Sequence, residues 1–229
     1  MKHLTRHINI AINKEYIEIQ KYAFRKYKIK TVENKHTHLV PEELEQLERL
    51  SLTGKHMKLQ KSLDAFLFCC YAGMRYSDFT NLSKKNIVDI NQETWLIYKS
   101  VKTGTEVRLP LYLLFAGKGI VILNKYRNNL EDFFRLRDNS NINKDLIIIA
   151  KLAGLSKKIS FHTARHTNAT LLIYNGVNIT TVQKLLGHKS VKTTQVYTNI
   201  MDMTIVHDLE KMKQAALGIK KKTDNSFNK

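Results

Sequence analysis

Hydrophobic positions recur along this chain with two different periods, and the change of period marks how it is organised. Leu4, Ile8, Ala11 and Ile12 fall at helical spacing. Together with the basic, aromatic-containing stretch from Ile17 to Tyr27 they predict a helix over 2–27. Lys28 to His38 is polar and charged and reads as a linker. Pro41-Glu42-Glu43-Leu44 opens the next helix, with proline in the first turn and acids near the positive end of the dipole. Leu59, Leu63, Phe66, Leu67, Cys70 and Tyr71 form the apolar face of a strong helix from Lys58 to Ala72, stopped by Gly73. Ser77 and Asp78 begin a short helix reaching Leu82.

The period then shortens to two. Ile87 to Ile90, Trp95 to Lys99 and Glu106 to Leu111 carry β-branched and aromatic residues between turn signals, and predict a small antiparallel sheet. Lys102-Thr103-Gly104-Thr105 forms its second turn, with Gly104 at the position needing positive φ. After Gly119 the helical period returns. It predicts helices over 120–126, over 144–153 before Gly154, and over 164–174 with Thr163 as cap and Asn175-Gly176 as stop. Asn178 caps another helix through Leu186, stopped by Gly187; Ser190 caps a short one carrying Tyr197; a last helix spans 202–216. The fold class is therefore mainly α with a small antiparallel β-sheet, in the α+β manner.

Composition narrows the partner. The 229 residues are 43% hydrophobic, enough for one well-cored domain with an appendage and against wholesale disorder. The formal net charge of +18 favours a polyanion, nucleic acid first, although an anionic membrane surface or ribosomal assembly would also suit it. No apolar run is long enough to span a bilayer, and the amino terminus lacks the apolar run of a secretory signal. The only cysteines, Cys69 and Cys70, are adjacent within a helical apolar pattern and read as core.

Three short words in the last third carry the chemistry: His162-Thr163-Ala164-Arg165-His166, Leu186-Gly187-His188 and Val196-Tyr197-Thr198. Upstream stand Gly73-Met74-Arg75-Tyr76-Ser77-Asp78 and Lys102 on the hairpin. Two guanidiniums to hold one phosphate, imidazoles to move protons, and a phenol to attack are what phosphodiester cleavage by a protein nucleophile needs. The words fall at helix ends, where unpaired backbone N–H groups suit an anion site.

In these residues the chain resembles the tyrosine recombinase (phage integrase) family, and integrases of conjugative transposons in particular. Arg75 matches the family's first arginine box and Lys102 its hairpin lysine; the likeness runs over residues 37–214. It implies a recombinase catalytic domain over 39–217, preceded by a helical remnant of an upstream core-binding domain (1–30) and a linker (31–38), and followed by a basic polar tail (218–229). Family members carry arm-binding and core-binding domains upstream, so the chain reads as a fragment.

The site roles follow from side-chain chemistry set on that likeness. Arg75 and Arg165 would each grip two phosphate oxygens, which lysine cannot copy. Tyr197 would be the nucleophile and His162 the acceptor or relay of its proton. Lys102 would protonate the leaving 5′ oxygen, with Lys99 and Lys118 as weaker competitors. His188 would hydrogen-bond the phosphate or support the nucleophile, and as a helix C-cap it would also meet the dipole. Asp78 reads as a partner orienting an arginine, and equally as a first-turn acid. His166 stands at zinc-protease spacing from His162, but no glutamate lies between them and Arg165 would oppose a metal, so it reads as a supporting residue.

The function expected is site-specific DNA recombination, through a 3′-phosphotyrosyl intermediate and strand exchange, with double-stranded DNA as partner and without cofactor or metal. The likeness implies a homotetramer on DNA for the full-length protein, with the segment from Asp202 to Ala216 packed on a neighbouring protomer. It implies a monomer for this fragment, and a cytoplasmic, nucleoid-associated place in a bacterium. Type IB-like topoisomerase activity, a noncatalytic DNA-binding accessory protein, and a helix-turn-helix regulator are the alternatives; the last leaves Arg75, Lys102 and Tyr197 unexplained.

Overall fold

A computed structural model describes residues 2–22, 24, 37–197 and 213. The chain divides into two units, residues 1–35 and 36–229. In the first, α1 (Lys2–Asn13) is followed by a single 3₁₀ turn at Ile19–Lys21. The helix expected to run to residue 27 stops early. Glu15 takes a left-handed φ of 59°, and its N–H and that of Tyr16 donate back to the carbonyls of Ile12 and Ala11. This is a Schellman stop built on glutamate, where no glycine announces it in the sequence.

The second unit comprises α2 (Pro41–Glu48), α3 (Gln60–Ala72) and α4 (Tyr76–Thr80), then strands β1 (Ile87–Ile90), β2 (Glu93–Lys99) and β3 (Glu106–Pro110). After them come α5 (Lys118–Lys125), α6 (Leu130–Phe134), α7 (Asn139–Leu152), α8 (Phe161–Tyr174), α9 (Ile179–Leu186) and α10 (Lys192–Gln195). The strands form an antiparallel meander in which Leu96 faces Leu109 and Tyr98 faces Val107. Mainly helical architecture with one small antiparallel sheet is the class the periodicity predicts.

The core is organised about α3. Every residue from Ser62 to Ala72 is buried, so this helix is enclosed rather than amphipathic. It lies against α8, α7 and α5. Phe66 and Phe68 are fully buried there, each contributing about 1.5–3 kcal/mol by removal from water. Phe79 of α4 meets Phe68, Phe133, Phe134 and Phe161 ring to ring, joining α4 to α3, α6 and α8. Cys69 and Cys70 are free and buried, as core residues, with burial raising both thiols well above their ordinary range.

Several boundaries differ from expectation, and at α6, α7 and α8 a polar residue rather than the apolar period sets the start. Asp138 caps α7 through the N–H groups of Ser140 and Asn141, starting it five residues before Lys144. Ser160, not Thr163, is the cap of α8; its N–H donates to Thr163 Oγ1 at 3.0 Å, so His162 lies inside the first turn. The helix after Arg75 begins at Tyr76, two residues before Asp78. α6, capped by Asn129, was not anticipated by the periodicity. Val191 rather than Ser190 caps α10, and Tyr197 follows that helix with its N–H on the carbonyl of Thr194. The predicted helix over 202–216 and the basic tail lie outside the described residues, Lys213 excepted. Among the described residues no helix is long and apolar enough to cross a membrane.

Candidate active site

Two left-handed glycines define the floor of the site. Gly73 (φ 66°) stops α3 and Gly187 (φ 61°) stops α9. A Cβ on Gly73 would stand 2.6 Å from Asn168 Oδ1, so only glycine lets α8 pass this close. Asn168 uses that approach to donate to the carbonyls of Cys70 and Tyr71, satisfying the last turn of α3. One turn earlier on α8, Arg165 is 1% exposed. Its guanidinium donates to Gly73 O at 2.7 Å and to Leu186 O at 2.6 Å. Each bond engages one terminal nitrogen, leaving the rest of the five-donor fork for an anion.

Arg75 leaves α3 two residues beyond Gly73. Its Nη1 donates to Ser100 Oγ at 3.2 Å and lies 3.4 Å from the carboxylate of Asp78. The Asp78 side chain is fully buried. It also accepts from the Val101 N–H at 2.8 Å and from Ser100 Oγ at 3.3 Å. Asp78 thus joins Arg75 to the base of the β2–β3 hairpin. That turn runs from Ser100 to Thr105, with Gly104 at φ 68° as predicted. Lys102 is exposed at its tip, and Thr103 ties the turn to the carbonyl of Gly187 at 3.2 Å. Of the competing lysines, Lys118 is paired with Glu48 and Lys99 faces Glu106 across the ladder.

His188 follows Gly187 directly. Its Nδ1 lies 2.9 Å from Oγ1 of the fully buried Thr194. Burial, then the charges of Arg165, Arg75, Lys102 and His162, push it down to about 3, so it is neutral at neutral pH. Tyr197 is 4% exposed, and its hydroxyl lies 3.0 Å from Nδ1 of His166. His162, exposed one turn earlier on α8, packs edge to face on His166 with ring centroids 4.5 Å apart.

All six residues expected at the site therefore share one region, and so do Asp78 and His166. Arg165 is pulled down to about 10 by burial and then by the charge of Arg75, the repulsion of two cations held near each other. Burial raises the Tyr197 phenol, while Arg165 and Arg75 lower it. An anion between the two guanidiniums would relieve that repulsion. Sequence reasoning missed Tyr98, Ser100 and Thr194. Among the described residues the hydroxyl of Tyr98 has no hydrogen-bond partner; burial raises it most, while Asp78, Arg165 and Arg75 act on it. The period of two in β2 places Tyr98 and Ser100 on the same side as buried Leu96, which is the signal that was available.

The Phage integrase family model matches residues 37–203, which hold every one of these side chains. The chain belongs to the phage integrase family. Among relatives, it is 30% identical over 181 residues to a tyrosine recombinase of Pseudothermotoga lettingae, covering 77% of this chain and 60% of that one. It is 29% identical over 185 residues to tyrosine recombinase XerC of Rickettsia prowazekii, covering 76% and 58%. The chain thus spans about three-fifths of the length of the curated relatives it matches. Among solved structures, a lambda integrase (75–356) dimer bound to a COC′ core site superposes with a TM-score of 0.64 at 20% identity, over 85% of this chain and 69% of that one. The Tn1549 transposon integrase in complex with a circular intermediate DNA gives 0.65 at 15%, over 92% and 77%. These two likenesses carry the phage integrase fold to the chain. A further basic feature lies apart from the motif residues: a cavity of about 470 Å³ whose lining includes Lys55, Lys58, Lys61, Arg135 and Arg137.

Proposed function

We propose that this chain is the catalytic domain, over 39–217, of a site-specific DNA recombinase that cuts and rejoins strands through Tyr197. The observation that carries this is the immobilised Arg165 fork, held by two helix ends, with Arg75 and the Tyr197 hydroxyl in its electrostatic reach. Arg75 and Arg165 grip the scissile phosphate and stabilise the charge that grows as phosphorus becomes five-coordinate. They supply the charge that a divalent cation supplies in many nucleases. The neutral His188 donates a hydrogen bond to a phosphate oxygen through Nε2, its Nδ1 facing Thr194. Lys102, exposed on its turn, delivers a proton to the departing 5′ oxygen.

Tyr197 displaces the 5′ oxygen and keeps the 3′ phosphate as an ester; the 5′-hydroxyl of a partner strand then reverses the step, and the strands are exchanged. The energy of the phosphodiester is conserved in the ester, so no nucleotide is consumed. Double-stranded DNA is the partner, consistent with the net charge of +18. The whole protein works as a homotetramer on DNA in the bacterial cytoplasm, at the nucleoid, whereas this chain alone is a monomer that binds DNA weakly.

A suicide duplex nicked near the cut tests the reading. The chain should form a covalent adduct on a denaturing gel, Tyr197→Phe should not, and an unchanged adduct in that variant would move the nucleophile elsewhere. Offering a foreign strand with a free 5′-hydroxyl should give a recombinant product. Return of the original strand only would assign the chain to swivelling rather than exchange.

A further inference from the structure

The proposed cleavage leaves one atom without a destination, the phenol proton of Tyr197. Burial raises that phenol above its ordinary range, so it reaches the phosphate protonated and needs an acceptor. The charges of Arg165 and Arg75 favour the phenolate but cannot take a proton. The group against the hydroxyl is Nδ1 of His166, at 3.0 Å.

Resting on the recombinase reading, we infer that His166 is a catalytic residue that accepts the Tyr197 proton through Nδ1. The surroundings suit the task. His166 follows Arg165 on α8, so the packing that fixes the phosphate-binding fork also fixes the acceptor. The rings of His166 and Tyr197 lie 5.4 Å apart between centroids, tilted rather than stacked, which brings Nδ1 to the hydroxyl instead of the ring face. The other imidazoles are committed differently: Nδ1 of His188 faces Thr194, and His162 packs on the ring of His166. His162 is exposed, and so stands as the next station toward solvent rather than the first.

The step balances as follows. The Oη–P bond forms and the P–O5′ bond breaks. The phenol proton moves to Nδ1 of His166, whose Nε2 keeps its own proton, leaving an imidazolium. The 5′ oxygen takes its proton from Lys102. On rejoining, the attacking 5′-hydroxyl gives its proton to the now neutral Lys102, the P–O5′ bond forms as the Oη–P bond breaks, and His166 returns its proton to the departing phenolate.

Adduct formation on the nicked duplex, measured in single turnover, separates the possibilities. The substitution His166→Asn would set an amide oxygen near the place of Nδ1 and preserve the hydrogen bond without accepting a proton. His166→Asn and His166→Ala should therefore both slow adduct formation about 100-fold or more at unchanged DNA affinity. Imidazole should restore part of the His166→Ala rate. A duplex with sulfur replacing the bridging 5′ oxygen, whose leaving group needs no proton, should rescue Lys102→Ala but neither His166 variant. A His166→Asn rate within threefold of wild type, or its rescue by the sulfur duplex, would overturn the assignment while leaving Tyr197 as nucleophile. Absence of adduct in the wild-type chain would remove the parent reading and this one together. Should the variants fail to fold, ¹⁵N spectra of the wild-type imidazoles decide: Nδ1 of His166 must be unprotonated, and a protonated Nδ1 refutes the inference.

Discussion

Gly187 backs directly onto Val107: a Cβ built on Gly187 would stand 2.7 Å from Val107 Cγ2. This contact seats the end of α9 against β3, and three pieces of the site hang from it. Leu186 lends its carbonyl to Arg165, Gly187 lends its own to Thr103 of the Lys102 turn, and His188 comes next. Gly187→Ala would combine a left-handed backbone penalty with a clash against a stiff β-branched side chain. Together these should cost roughly 2–4 kcal/mol. Urea unfolding checks the value, and a loss below about 1 kcal/mol would show that α9 shifts freely. Adduct formation should fall along with stability.

Arg165→Lys tests whether the fork matters or only its charge. One ammonium cannot span the carbonyls of Gly73 and Leu186 and still face a phosphate with two donors. At least one buried carbonyl then loses its partner, at about 1–3 kcal/mol. The loss of oriented donors should cut single-turnover cleavage by about 10²-fold or more. Cleavage within tenfold of wild type would mean that charge suffices.

Asp78→Asn probes the joint between Arg75 and the hairpin. The carboxylate takes the Val101 N–H, the Ser100 hydroxyl and Arg75 at once, with its side chain wholly out of solvent. Asparagine keeps one acceptor but turns a donor toward the others and leaves Arg75 without its counter-charge. Stability should drop by about 3 kcal/mol, the scale of breaking a buried pair. Cleavage of the sulfur-bridged duplex should recover less than in Lys102→Ala, because phosphate grip suffers as well as proton delivery. Full recovery would confine Asp78 to the hairpin.

The legible part of this molecule is the part written in helix stops and motif words. Gly73, Gly187 and Gly104 were readable because each is the residue that tolerates the φ its turn requires, and the six motif side chains came with them. What eluded the sequence was set by tertiary contact. Glu15 stops a helix in a conformation glutamate disfavours, and Asp138 and Ser160 begin helices before the apolar period does. The pairing of His166 with Tyr197 is a tertiary contact between residues 31 apart in the chain, which no spacing encodes. Ser100 lies one residue past the strand read over 95–99, and only the fold shows it between Asp78 and Arg75.

His188 carries a consequence for pH. Its pKa falls from 6.5 to about 3 in the folded chain, so below pH 6.5 the unfolded chain binds a proton that the folded chain refuses. The stability associated with neutral His188 is therefore complete above pH 6.5 and is lost progressively as pH falls toward 3. His188→Asn should flatten this part of the stability profile relative to wild type. The Cε1 proton of His188 should show no titration between pH 7 and 5 in the free chain, and a midpoint near 6.5 would refute the burial argument. After burial, the lowering comes from Arg165, Arg75, Lys102 and His162, all cations or potential cations. A phosphate seated among them opposes each one, so saturating duplex DNA should raise the His188 midpoint, and a midpoint unmoved by DNA would place the scissile phosphate elsewhere.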